Sequence, residues 1–205
     1  VTIRPGDPWG SVQAAPASTR WFNHESDLGK WLEDGNTAAE VGLRRGDLHT
    51  ITGVSLSVIR VPIDIIEVTT QDARTSENHH HIAISSVVVG TWWRRTSFTV
   101  MSNTGLVDGV EWFARSHPND GRIESAEFSE QMDLRQRIQA RRRVKSGSPY
   151  AHPQISSSSL SDWEWSGPGR RLVIDGRQVG LVSRVHIAVR PDALHVYLGQ
   201  PSTGS

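Results

Sequence analysis

Cysteine is absent from the 205 residues, which excludes disulfides and thiolate metal sites and leaves the redox compartment unmarked. No run approaches the roughly 18 apolar residues that would cross a bilayer as a helix. The opening stretch, Val1 to Gly10, lacks the apolar segment of a signal peptide, so a cytoplasmic protein is the expectation. An excess of either charge is missing too, with 22 Lys and Arg against 22 Asp and Glu. Without a net field, nucleic acid is not an expected partner, and any anionic partner has to be met by a local patch. Apolar residues make up 36% of the chain. That share is below the usual range, yet it allows a core for one large or two small domains.

What is present reads as a mainly β chain. Residues 1–20, with three Pro and two Gly, form an extended arm pinned by Trp9. Ser26-Asp27 caps a short helix through about Asp34, and Ala38 to Leu43 follows as a short buried strand. Val54 to Ile59, Val61 to Val68 and His81 to Val89 are rich in β-branched residues and read as strands. Thr99 to Glu124 reads as strand, loop, strand, with turns at Asn103–Gly105 and Asp108-Gly109 and a polar knot at Ser116–Gly121. Ser129 to Lys145 is the one long helix, capped by Ser129, acidic at its start, cationic at its end and stopped by Gly147. Ser146 to Ser161 reads as a loop ending in a strand near Ile155. A hairpin through Asp175-Gly176 comes next. Two alternating strands then flank a turn at Pro191-Asp192-Ala193, and Pro201 to Ser205 is expected to be disordered.

Four groups carry possible chemistry. Arg44-Arg45-Gly46-Asp47 leaves a strand and enters a helical turn, so it either aims backbone N–H groups at an anion or is an ordinary capped loop. His79 to His81 are a solvated hairpin loop or, with His79 and His81 on one strand face, a metal pair. Thr91-Trp92-Trp93-Arg94-Arg95 suits a lipid headgroup layer, or hides one indole and covers the other with an Arg stem. The helix cations Arg135, Arg137, Arg141, Arg142, Arg143 and Lys145 are the strongest basic patch, either a solvated face or a binding surface for phosphate or an anionic headgroup.

Several short motifs stand in a suggestive order. Gly46-Asp47-Leu48 and Val61-Pro62-Ile63-Asp64 come first, then Met101-Ser102-Asn103 with Gly105 and Gly109. His117-Pro118-Asn119-Asp120-Gly121-Arg122-Ile123 and Val173-Ile174-Asp175-Gly176-Arg177 follow. This order resembles the diacylglycerol kinase and bacterial lipid-kinase family, related to the NAD kinases, over Val41 to Gln200 and most clearly in that family's β-sandwich domain. The resemblance implies a mainly β (α+β) fold. Residues 1–56 would be an arm and a truncated α/β remnant, 57–200 a β-sandwich with one basic helix, and 201–205 a tail.

The family implies phosphoryl transfer from a nucleotide to a lipid hydroxyl, which needs a phosphate cradle, a metal and a base. Gly-Gly-Asp-Gly-Thr is absent, and Arg177 follows Asp175-Gly176 where the resemblance places the proton-accepting Glu. A guanidinium has no lone pair to accept a proton. No catalytic set is therefore intact, with Asp175 and Arg177 as its degenerate positions, and ATP is not an expected ligand. His117 and Arg122 carbonyls with the Asp120 carboxylate are the implied set for a weak structural Mg²⁺ or Ca²⁺, against an empty Asp-Gly turn. Arg44, Arg45, Asp47, Arg141, Arg142 and Arg143 are the expected anion- and phosphate-binding residues. The expected function is a non-catalytic lipid-kinase relative that binds a lipid, a phosphate, a protein partner or an anionic membrane surface. The alternatives are an active ATP-dependent lipid kinase completed by a separate or omitted nucleotide domain, and a structural or homo-oligomerising sandwich.

Overall fold

The computed structural model describes residues 9–37, 40–52, 57–145 and 152–199. Short pieces come first: β1 (Ser11–Val12), β2 (Arg20–Phe22), α1 (Glu25–Glu33), β3 (Val41–Leu43) and α2 (Asp47–Thr52). The middle of the chain gives β4 (Ile59–Asp72), β5 (Asn78–Ala83), β6 (Ser86–Val89) and β7 (Phe98–Ser102), then the small hairpin β8 (Leu106–Val107) and β9 (Val110–Glu111). It closes with β10 (Ile123–Phe128), α3 (Leu134–Lys145), β11 (Ile155–Leu160), β12 (Asp162–Ile174) and β13 (Arg177–Leu198). The fold is mainly β, as expected.

One sheet dominates, running β1-β4-β13-β12-β6-β7-β10-β11, with β5 beside β4 and β3 joining the end of β13 in parallel. Along that order five steps of about 4.8 Å would hold β4 and β10 far apart if the sheet were flat. Yet Ile66 and Val68 of β4 share a buried cluster with Met101 of β7, Ile123 of β10 and Leu172 of β12. The sheet therefore curls until its two arms face each other, and period-two alternation decides what each arm hides. In β7, Met101 points into that interior, whereas Phe98 and Val100 belong to a second cluster with Phe128, Met132 and Ala140 beneath α3. The N-terminal pieces close a third cluster, in which Leu28, Leu43 and Leu48 pack on Val61, Ile63, Val196 and Leu198.

Several expectations change in detail. β4 runs unbroken through Pro62, and β13 runs unbroken through Pro191-Asp192-Ala193. In place of the expected turn there is a bulge, with a register shift between Arg190 and Leu194 and Asp192 at φ 52°. The stretch His81–Val89 divides into β5 and β6, and the three His residues lie on β5 instead of in a hairpin loop. α3 starts at Leu134 because Asp133, not Ser129, caps it: the Gln136 N–H donates to Asp133 Oδ1 (2.8 Å) while Gln136 Oε1 accepts the Asp133 N–H (3.0 Å). This reciprocal pair is a capping box with Asp at its head. Trp9 does pin the arm, donating its indole N–H to the Pro62 carbonyl at 2.9 Å. Because β3 pairs with β13, the sheet runs across the boundary expected near residue 56. The expectations at Val54–Leu56, Gly147 and Pro201–Ser205, with most of the loop from Ser146, lie outside the described residues.

Candidate functional site

Two Asp-Gly turns meet at the place where the motifs converge. Asp175-Gly176 joins β12 to β13 with φ of 46° and 75°, and Asp108-Gly109 joins β8 to β9 with 51° and 74°. Both are two-residue loops with positive φ at each position, the geometry that matches strand twist and that Asp-Gly favours. The carboxylate of Asp175 accepts the N–H groups of Ile84, Ser85 and Ser86, each at 2.8 Å, tying the hairpin to the β5–β6 junction. Asp47, the first residue of α2, accepts the N–H groups of Gly109 (2.8 Å) and Asp108 (3.1 Å) and the Ser85 hydroxyl (3.3 Å). The two carboxylates are therefore clasps between backbone segments.

At the Gly46-Asp47 turn the backbone meets a carboxyl group of the chain's own. Glu25 of α1 is buried, and its Oε1 accepts the Leu48 N–H at 2.8 Å. Gly46 sits at φ +110°, and a Cβ built there would fall 1.8 Å from Glu25 Oε2, so only glycine admits the carboxylate. Arg44 lies over the Trp21 ring at 5.9 Å and Arg45 is exposed. Burial pushes the Glu25 carboxyl up to about 7 and Asp175 up to about 6, with backbone N–H donors opposing the shift in each case. Burial raises Asp47 as well. Four carboxylates, Glu25, Asp47, Asp108 and Asp175, gather here and interact with one another.

The burial of Glu25 has a measurable consequence. An unfolded chain loses this proton near 4.5, whereas the folded protein keeps it to about 7. Between those values the folded state holds the extra proton, so the contribution of Glu25 to stability falls as pH rises through the window. Glu25→Gln keeps an oxygen for the Leu48 N–H and cannot ionise. It is expected to flatten the decline in melting temperature between 4.5 and about 7, and to exceed the parent above that range. Superimposable pH profiles for the two proteins would refute this.

Arg177 is paired within the fold. Its Nη2 donates to Glu33 Oε1 at 2.6 Å, and Glu33 also lies 3.6 Å from His81 Nδ1. The knot at Ser116–Gly121 is likewise committed to the fold. Its centre is Asp64, fully buried, which accepts the N–H groups of Gly121 (2.6 Å) and Asp192 (2.9 Å) and the side-chain amide of Asn119 (3.3 Å). Asp120 accepts the Arg122 N–H at 3.0 Å, and the Arg122 guanidinium turns away to Ser159. His117 stacks edge-on against Trp9, and its Nδ1 accepts the Asn119 N–H (3.2 Å). The expected Mg²⁺ or Ca²⁺ set, the His117 and Arg122 carbonyls with the Asp120 carboxylate, sits in this knot beside Asp64. Asp120 spends one oxygen on the Arg122 N–H, Asp64 accepts three donors, and no three His, Asp or Glu side chains gather as ion ligands among the described residues.

A cavity of about 360 Å³ lies instead beneath α3, floored by Val88, Val100 and Val173 and ringed by Trp92, Phe98, Trp112 and Phe128. Arg141 lies 4.6 Å above the Trp92 ring, and Arg137, Lys145, Arg171 and one acid, Asp108, also line the space. The Trp-Trp-Arg-Arg segment and the basic helix, read separately in the sequence, thus form one structure. Trp92 is half-buried under an Arg stem, while Trp93, edge-on to it, is 51% exposed. Arg137 is no surface cation: it is 2% exposed and donates to the carbonyls of Met132, Ser129, Arg94 and Thr96. Arg142 and Arg143 lie on the exposed side of α3. The expected anion-binding residues are thus divided, Arg44 to Asp47 bordering the N-terminal cluster and Arg141 to Arg143 on α3. The aromatic ring was missed. Phe98 and Phe128 are scattered in sequence and meet through the pairing of β7 with β10, and Trp112, just beyond β9, comes edge-on to Phe128.

Among the described residues no helix is long and apolar enough to cross a membrane. No family model and no curated protein matches the chain. Solved structures similar to it include a diacylglycerol kinase from Bacillus anthracis str. Sterne, at 9% identity and a TM-score of 0.49, covering 71% of this chain and 56% of that one. Two further structures, of proteins assigned as diacylglycerol kinases in the same organism, give 10% identity and TM-scores of 0.39 and 0.40, covering 67% and 69% of this chain and 40% and 41% of theirs. The likeness is one of backbone course, and this chain spans about half or less of the length of the chains it matches.

Proposed function

We propose that this chain is a non-catalytic relative of the lipid kinases that receives the apolar part of a lipid in the cavity beneath α3. The observation that carries the reading is the cavity itself, a chamber lined mainly by aromatic and aliphatic side chains, with four cations and one carboxylate, Asp108, among its lining residues. Small-molecule sites have this composition, apolar walls with a few polar groups that set orientation. The non-catalytic part is supported by the fate of the residues on which transfer chemistry would depend. Asp47 and Asp175 are spent on backbone N–H groups, the Gly46 turn is filled by Glu25, and Arg177 is paired with Glu33.

Two measurements test the two halves. Tryptophan emission is expected to shift on titration with decanol, because Trp92 and Trp112 line the cavity, and Val100→Trp, which fills the floor, is expected to abolish the response. Millimolar ATP with Mg²⁺ is expected to leave the melting temperature unchanged, since a ligand raises it only in proportion to RT ln(1 + [L]/Kd). A clear rise with ATP, or transfer of its terminal phosphate to any glycerolipid, would overturn the non-catalytic reading.

A further inference from the structure

A second recess opens beside the aromatic cavity. It measures about 550 Å³, and its walls include Arg74, Arg94, Arg170 and Arg171, with Pro168 and Gly169 between them and Glu130 as its one carboxylate. The two spaces share Gly90, Thr91, Trp93 and Arg171 in their linings, so they adjoin across the start of the Trp-Trp-Arg-Arg segment. Local sequence builds this boundary. Gly90, at φ +97°, lets the chain leave β6 directly over Ser97 and Phe98, where a Cβ would meet the Ser97 carbonyl oxygen at 2.8 Å. In β12 the register shifts between Ser166 and Arg170, so residues 167–169 bulge out and Arg170 and Arg171 re-enter the strand at the recess.

The four guanidiniums are not equivalent. Arg170 lies over the Trp165 ring at 4.4 Å, donates to the Ser97 hydroxyl and feels Glu127 and Glu130. Arg74 stands near Asp72. Arg94 and Arg171 form no ion pair with a carboxylate among the described residues, although both line the recess. Arg94 is also held in place from behind, because Arg137 donates to its carbonyl at 2.6 Å. An apolar chamber therefore continues into a chamber with a three-charge excess of cation, and Trp93 stands at the junction of the two.

We infer that the two chambers form one site for a single-chain amphiphile with a phosphate head. The chain lies in the aromatic cavity and the phosphate among Arg94, Arg170 and Arg171, with Arg74 at the far wall. This rests on the proposed reading of the aromatic cavity and adds the class of head group. One chain fits because about 360 Å³ lies near the lower end of the range for small-molecule sites. A phosphate suits the head because guanidiniums present paired donors to its oxygens and keep their charge at any physiological pH. A neutral or cationic head would leave Arg94 and Arg171 uncompensated.

The test titrates the whole chain with decyl phosphate, decanol and inorganic phosphate, following tryptophan emission and, independently, heat of binding. Decyl phosphate is expected to bind at least about tenfold more tightly than decanol, the worth of one to two charge-assisted contacts. Arg94→Ala with Arg74→Ala, two residues that line the recess and not the aromatic cavity, is expected to remove most of that advantage while leaving decanol affinity and melting temperature unchanged. Equal affinities for decyl phosphate and decanol, or a double variant that keeps the advantage, would overturn the head-group assignment and leave the apolar cavity standing. Failure of both decyl ligands to bind would overturn the cavity reading instead. Inorganic phosphate binding as tightly as decyl phosphate would show a site for the free anion, which also overturns the amphiphile.

Discussion

Asp64→Ala is expected to leave little folded protein. Asp64 is fully buried in β4, and its two oxygens accept the Gly121 and Asp192 N–H groups at 2.6 and 2.9 Å and the Asn119 amide at 3.3 Å. Burial raises its pKa, and the Gly121 N–H is the strongest influence opposing that rise. Alanine would strand these donors in the interior, each at a cost of about 1–3 kcal/mol. The loss also spreads along the chain. The knot is tied to β4 by the Asp64 N–H to the Pro118 carbonyl (2.8 Å), and Asn119 reaches on to Asp192 in the β13 bulge (2.8 Å). One carboxylate thus holds three distant segments in register. A loss of about 3–5 kcal/mol is expected from urea unfolding, a large part of the roughly 5–15 kcal/mol that stabilises a domain. A loss below about 1 kcal/mol would show that water or another side chain replaces the carboxylate.

Arg137→Met should be nearly as costly, for a different reason. The stem volume is retained, so the change isolates the guanidinium. Its donors satisfy the carbonyls of Met132 and Ser129, which precede α3, and those of Arg94 and Thr96, in the segment after β6. Burial alone lowers its pKa. Hydrogen bonds from a charged group contribute more than neutral ones, and removing such a buried hub costs about 2–4 kcal/mol. The local signature should exceed the global one, with faster amide exchange over residues 91–97 and a red shift of Trp92 emission as Arg141 loses its position above the ring. Arg137→Lys is expected to recover little, because an ammonium cannot fork to both segments. Unchanged exchange over 91–97 in the methionine variant would refute the hub role.

The cost of both substitutions was not visible along the chain. Asp64 reads as one acid in an apolar strand, and Arg137 as one of several cations on a helix with a thin apolar stripe. What sets them apart is the partner each meets, and those partners lie 55 to 128 residues away from Asp64 and up to 43 from Arg137. The basic helix shows the same limit. Its charge pattern was legible, but which cation turns inward depends on the side of α3 that covers Phe98 and Phe128. The turn at Gly46-Asp47 reads either as an anion site or as a capped loop, and its Leu48 N–H meets Glu25, 23 residues back in the chain.

The sequence by itself determined the local geometry. Asp-Gly at 108–109 and 175–176 sets positive φ at both turn positions, β-branched runs make strands, and Asp133 with Gln136 starts a helix, because each depends on neighbours a few residues apart. Tertiary structure decided everything that needs two segments to meet. Curling of the sheet brings β4 against β10 and packs α3 over β7, and only then do Trp92, Trp112, Phe98 and Phe128 enclose a space with arginines at its mouth. A cavity is a property of surfaces that face one another, and facing is set by strand pairing across the whole chain.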